Sequence, residues 1–188
     1  MKLSYLPNIL TSIRLILVFP TVYCLLKGNY VAAFWVFFIA GWTDAIDGWL
    51  ARRNNWFSKL GSILDPIADK SLMLLVFLTL GYLEVVPMWV ALLVVLRDLI
   101  IMAGASAYYA LFGTYNMAPS LLSKLNTMVQ IIFALMVMSS LSYLDIDQGF
   151  LDIAMYIMVV TTILSGIDYI IIWGLKAFHA WSASRKSL

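Results

Sequence analysis

The 188-residue chain is 63% hydrophobic and only 12% charged, against about 25% charged residues in soluble domains, and its mean hydropathy is +0.94. That balance excludes an ordinary soluble domain and predicts an integral membrane protein, while a net charge of +2 gives no argument for nucleic-acid binding. The single cysteine, Cys24, excludes an internal disulfide framework and any multi-cysteine metal site.

At about 20 residues per membrane span, the length accommodates one domain over residues 1–188 with six helices, all α. The apolar runs predict them near 8–27, 31–53, 60–82, 86–109, 120–142 and 151–175. In the first run, PNILTSIRLILVFP, Asn8, Thr11 and Arg14 stand at i, i+3 and i+6. By itself this reads as a helix cap followed by a snorkelling arginine. A cleaved signal sequence is disfavoured, because Tyr23 occupies the place where a small residue is expected and Arg14 interrupts the apolar stretch.

The second run carries Asp44, Asp47, Gly48, Ala51 and Arg52 at i, i+3, i+4, i+7 and i+8, the spacing of one helical face. The third carries Gly61, Asp65 and Asp69 at i, i+4 and i+8. Each aspartate at the centre of a membrane helix costs about 2.5 to 3.5 kcal/mol, so four require roughly 10 kcal/mol of compensation. Hard divalent cations supply it: Mg2+ or Mn2+ prefers oxygen ligands. A pair of such ions suits phosphoryl chemistry. Gly48 and Gly61 would let a flat nucleotide or diphosphate approach the backbone, and Arg52 offers a planar fork for phosphate oxygens. A proton or cation path through a small transporter is the alternative from another class. The absence of an internal repeat weakens the inverted-repeat version of it.

The fourth run contains Arg97-Asp98, and the fifth opens with Ser123-Lys124-Leu125-Asn126-Thr127 before Gln130. Arg97 is costly in hydrocarbon, so it is expected to face a polar cavity or pair with Asp98 or another buried acid. Arg97 and Lys124 together suit an anionic acceptor. In the last run Asp168 reads as a structural partner for a basic residue. Short connections predict that consecutive helices are neighbours. Lys2, Arg52, Arg53, Lys59, Lys124, Lys176, Arg185 and Lys186 fall on one set of ends and Lys27 alone on the other, which directs both termini to the cytoplasm.

The segment from Asp44 to Asp69 resembles the signature of the CDP-alcohol phosphatidyltransferase family, DxxDGxxAR followed by eight residues and GxxxDxxxD, with every fixed place filled. Asn8, Thr11 and Arg14 resemble the PNxLTxxR start of its glycerophospholipid branch. The resemblance implies six helices around a polar cavity open to the cytoplasm, often in a homodimer. It implies that Asp44, Asp47 and Asp65 hold metal, as two ions with Asp69, and that Asp69 is also the general base. Gly48, Ala51, Arg52 and Gly61, with Asn8 and Thr11, would meet the CDP part of CDP-diacylglycerol. The Arg97-Asp98 pair and the SKxNTxxQ pattern look more like cardiolipin synthases, which use phosphatidylglycerol, than like phosphatidylglycerophosphate synthases, which use glycerol 3-phosphate. With no Arg-rich, Ser-rich segment before Asn8, a bacterial inner membrane is expected over an organellar one.

Overall fold

The computed structural model describes the backbone of residues 6–54, 61–112 and 120–186, and the side chains of residues 12–43, 70–104, 106 and 120–172. Among the described residues there are six helices: α1 (Leu6–Leu26), α2 (Tyr30–Asn54), α3 (Gly61–Tyr82), α4 (Met88–Phe112), α5 (Leu121–Ser140) and α6 (Gln148–Lys186). Eleven of the twelve helix ends lie within three residues of those expected. The exception is the last helix, which has 39 residues and runs to Lys186 instead of ending near 175. At 1.5 Å per residue it is about 58 Å long, far more than the roughly 30 Å of bilayer hydrocarbon. The segment beyond 175 is polar enough to end an apolar run, but it contains neither proline nor glycine to end a helix.

Each sharp turn has a local cause. After α1 the chain enters the left-handed region at Gly28 (φ 70°), while the amides of Gly28 and Asn29 donate to the carbonyls of Leu25 and Cys24 at 3.0 and 2.9 Å. Asn29 Oδ1 then accepts from the Ala32 amide at 3.2 Å and caps α2. Ser120 caps α5 by accepting from the Ser123 amide at 3.2 Å, and Asp147 Oδ2 accepts from the Gly149 amide at 3.1 Å as α6 begins.

These turns make three antiparallel hairpins, α1–α2, α3–α4 and α5–α6. Among the described residues the hairpins join through α1·α3, α2·α5 and α4·α6, with a smaller α3·α5 contact across the middle, so the outer packings close a ring in the order α1, α3, α4, α6, α5, α2. The expectation that consecutive helices are neighbours therefore holds within hairpins. Arg97 of α4 also bonds Ser123 of α5 directly, whereas the α2–α3 connection, residues 55–60, lies outside those described. A helix inside the ring can satisfy its apolar face against only two or three partners, and here those partners are set by side-chain fit more than by chain connectivity.

The end of the ring near the hairpin turns is filled by Leu25, Phe37, Val76, Phe77, Leu80, Val90, Phe133 and Met138. Phe77 and Phe133 stack with ring centroids 6.4 Å apart. The outer faces are also apolar: Ile153, Ile157, Val160, Ile163 and Ile167 of α6 are exposed. Among the described residues, α5 and the Gln148–Ile172 part of α6 are long and apolar enough to cross a bilayer. An apolar exterior around an apolar core is what lipid requires and water penalises.

Candidate functional site

Going away from the hairpin turns, the interior of the ring changes from apolar to polar. Arg97 and Asp98, both on α4, are 5% and 4% exposed. Arg97 Nη1 donates to Asp98 Oδ1 at 2.6 Å. Its Nη2 donates to Ser123 Oγ of α5 at 2.8 Å and to Ser165 Oγ of α6. Lys70 Nζ of α3 donates to the second oxygen, Asp98 Oδ2, at 3.1 Å. One guanidinium and one carboxylate thus tie four helices together. A separated buried charge would cost several kcal/mol, so this mutual pairing, which leaves only Arg97 Nε without a partner, is the condition for either charge to be there.

A neutral relay lies beside the ionic one. Thr162 Oγ1 donates to Asn126 Oδ1 at 3.0 Å and accepts from Gln130 Nε2 at 3.4 Å, with all three residues buried. On the next turns of α6, Tyr169 Oη donates to the Ile101 carbonyl at 2.9 Å. This contact requires a bare backbone at Gly104, where a Cβ would come within 2.6 Å of Tyr169 Oη.

The residues expected from sequence begin in the layer of Lys70 and continue away from the hairpin turns. Counted along the helices from the hairpin-turn ends at 1.5 Å per residue, Asp44 and Asp69 are about 20 Å in and Asp47 and Asp65 about 25 Å. By the same count Lys70 is at about 18 Å and Arg97 at about 14 Å. Asn8 and Thr11 lie on α1, Gly48, Ala51 and Arg52 on α2, and Gly61 begins α3. The side chains of the four aspartates and of Asn8, Thr11, Ala51 and Arg52 lie outside those described, as do the surroundings of Gly48 and Gly61. Among the described residues no cluster of three or more His, Cys, Asp or Glu side chains forms a metal site.

Arg97 pairs with Asp98 as expected, although both of its terminal nitrogens are engaged within the protein. Lys124 is exposed near the start of α5, apart from that cluster. Arg14 is buried at 1% exposure and does not snorkel to the rim. Asp168 differs from expectation. Its Oδ2 is buried without a hydrogen-bond partner, and among the described residues no basic side chain pairs with it as its position suggested. Sequence reading missed Lys70 altogether, though it directly follows Asp69; a second cation in an apolar helix was the available signal.

Between α2 and α5 an apolar cleft of about 160 Å3 is lined by Phe37, Phe38, Gly41, Trp42, Ile131 and Leu135. Gly41 precedes Asp44 by three residues, so this cleft lies about one turn from the first aspartate of the motif.

Comparison with known proteins points in one direction. A family model described as CDP-alcohol phosphatidyltransferase matches residues 4–166. Cardiolipin synthase (CMP-forming) of Rattus norvegicus is 30% identical over 182 residues, covering 87% of this chain and 60% of that protein. The CDP-diacylglycerol–glycerol-3-phosphate 3-phosphatidyltransferase of Bacillus subtilis is 30% identical over 136 residues, covering 71% of this chain and 69% of that protein. The chain spans 60% or less of the length of the rat, fly and human cardiolipin synthases it matches. In fold it is similar to the crystal structure of Mycobacterium tuberculosis phosphatidylinositol phosphate synthase with CDP-DAG bound, with a TM-score of 0.65 over 87% of this chain and 84% of that one, at 16% identity.

Proposed function

The chain belongs to the CDP-alcohol phosphatidyltransferase family, and from that premise we propose that it transfers the phosphatidyl group of CDP-diacylglycerol to the free hydroxyl of phosphatidylglycerol, forming cardiolipin and releasing CMP. The observation that carries this reading is the complete eight-residue motif from Asp44 to Asp69 on two consecutive apolar helices. Similarity to proteins named as CMP-forming cardiolipin synthases, over 87% of the chain in the rat case, supports the acceptor.

The donor set is four carboxylates, which fits a hard divalent ion. Asp44, Asp47, Asp65 and Asp69 would hold Mg2+ or Mn2+, as two ions, whose charge when bound would offset that of the donor diphosphate and of the departing CMP. Gly48, Ala51, Arg52 and Gly61 receive the CDP part, with Asn8 and Thr11 contributing from α1. Asp69 takes the proton from the acceptor hydroxyl. That oxygen forms a new bond to the phosphorus bearing diacylglycerol, the bond from this phosphorus to the bridging oxygen breaks, and CMP departs with that oxygen. General-base assistance of this kind contributes about 10²–10⁴-fold. Arg97 acts on the acceptor from behind, by fixing Asp98, and Lys124 meets its phosphate from the exposed end of α5. The cleft beside Gly41 supports lateral access for acyl chains.

A second acceptor, glycerol 3-phosphate giving phosphatidylglycerophosphate, is supported by one observation: the chain is 30% identical over 136 residues to the Bacillus subtilis relative named for that acceptor. The reading is completed by a homodimer in a bacterial inner membrane with both termini cytoplasmic, an orientation supported by the one-sided basic residues.

The test is CMP release by purified protein with CDP-diacylglycerol and Mn2+, offering each alcohol separately and identifying the lipid by mass. Cardiolipin from phosphatidylglycerol, lost with EDTA and restored by Mg2+ or Mn2+, is the expected result. Nucleotide-independent ion flux in sealed vesicles, without CMP release, would replace the enzyme with a transporter.

A further inference from the structure

The ionic cluster is buried at Arg97 and Asp98, and Lys70 is its one partly exposed member, which makes its side the open one. Both carboxylate oxygens of Asp98 are used, Oδ1 by Arg97 and Oδ2 by Lys70. Arg97 spends Nη1 on Asp98 and Nη2 on two serines, and its side chain is only 4% exposed. Lys70 is different. Its side chain is 19% exposed, and an ammonium has three N–H donors, of which Asp98 takes one. Two cations share one carboxylate, which leaves one positive charge. Among the described residues no second carboxylate lies within ion-pair distance of either cation. The uncompensated charge belongs to the one member that reaches the open side, and Lys70 is the residue after Asp69.

We infer that Lys70 is an anion-binding residue for the phosphate ester of the acceptor, and that Asp98 is its positioning residue. This rests on the phosphatidyltransferase reading for the identity of the acceptor. A lone lysine in a bilayer would send its flexible stem toward the headgroups. Here Asp98, held by Arg97 and through it by Ser123 and Ser165, keeps the ammonium inside the ring and in the layer of the aspartates. The shared chemistry is a glycerol phosphate, as a diester in phosphatidylglycerol or a monoester in glycerol 3-phosphate. An anchor on the phosphate fixes the distance from it to the glycerol hydroxyl that attacks, so an alcohol without phosphate would lose both affinity and orientation.

The experiment measures binding, not turnover. Full-length protein in phosphatidylcholine nanodiscs with Mg2+ is titrated with glycerol 3-phosphate in one arm and with phosphatidylglycerol in the other. The proteins are wild type, Lys70→Gln, Lys70→Arg and Asp98→Asn. Charged hydrogen bonds of this type predict about tenfold or greater weakening in Lys70→Gln for whichever glycerol phosphate binds wild type. Lys70→Arg should recover most of it, and Asp98→Asn should lose less than Lys70→Gln. Thermal stabilisation by CDP-diacylglycerol, which also reports folding, should persist in Lys70→Gln. Equal affinity of wild type and Lys70→Gln for both glycerol phosphates, an equal loss toward CDP-diacylglycerol, or no binding to wild type in either arm would overturn the inference. Failure of the transfer reading appears elsewhere, as wild type that binds a glycerol phosphate yet releases no CMP.

Discussion

Near the hairpin turns the ring is held by Phe37, Val76, Phe77, Leu80 and Phe133, which touch carbon on every side. Two to three turns further along, α3, α4, α5 and α6 are joined by Lys70, Asp98, Arg97, Ser123 and Ser165 through directed bonds. The first region tolerates any arrangement that fills space, because dispersion is non-directional. The second admits few arrangements, because a buried charge without its partners costs several kcal/mol. The apolar end can therefore act as a rigid base, and the polar end can be committed to one geometry. In lipid the apolar end gains little from removing carbon from water, so its stability comes from close fit.

If this division is right, activity and stability are lost separately. The largest effect belongs to Asp69→Asn, which removes the proposed base while keeping its size. CMP release should fall by about 10²–10⁴-fold, with the melting temperature in the absence of donor unchanged. Full Mn2+-dependent turnover in this variant would sink the assignment and with it the polar end as the seat of chemistry.

The reverse case is Phe77→Ala. Phe77 is fully buried and stacks on Phe133. Lipid is as apolar as the core, so the transfer contribution is small and the cavity dominates. A void of about 100 Å3 at ~24 cal/mol per Å3 costs about 2 kcal/mol. Unfolding in detergent should register that loss, while turnover per folded molecule stays within about twofold, since a filled apolar end positions no reacting group.

Much of this plan is legible in the chain, for physical reasons that differ by region. The helices are visible because a bilayer forbids unpaired backbone, so every long apolar run must be helical. The aspartate ladder is visible because charge in such a run is rare enough to need a cause. The ring order is not visible: α1·α3, α2·α5 and α4·α6 depend on which small and large side chains interdigitate, and nothing local encodes that. Nor is the state of each charge. Arg97 and Lys124 are equally plausible anion ligands in one dimension, yet one is buried with its terminal nitrogens engaged and the other is exposed. Lys70 went unnoticed for the same reason, since its significance comes from Asp98 at 28 positions' distance. The end of α6 was misplaced because hydropathy marks where lipid ends, and a helix can continue into water.

A smaller effect sharpens the boundary inside the polar region. At Gly104 an added Cβ meets Tyr169 Oη at 2.6 Å. Gly104→Ala must displace the phenol from the Ile101 carbonyl or part α4 from α6. Overpacking of this kind costs roughly 1–2 kcal/mol. Turnover should fall severalfold along with stability, because α4 also carries Arg97 and Asp98. A stability loss without any change in turnover would show that the α4–α6 contact beyond Arg97 is only structural.

The smallest effect tests whether the turn end is independent of the chemistry. Trp35 Nε1 donates to Tyr143 Oη at 2.6 Å, tying α2 to the α5–α6 connection, and both side chains are about half exposed. Trp35→Phe removes the donor and retains an aromatic ring near Phe34 and Phe38, against which Trp35 packs edge-on. A half-exposed hydrogen bond can be exchanged for one to water, so the net loss is about 0.5 kcal/mol, or a fall of about 1–2 °C in melting temperature. CMP release should be unchanged, because Trp35 sits only five residues into α2, about 14 Å along the helix from Asp44. A severalfold change in turnover from so small a loss would mean that motion at the turns reaches the aspartates, and the apolar end would then be part of the working site and not its base.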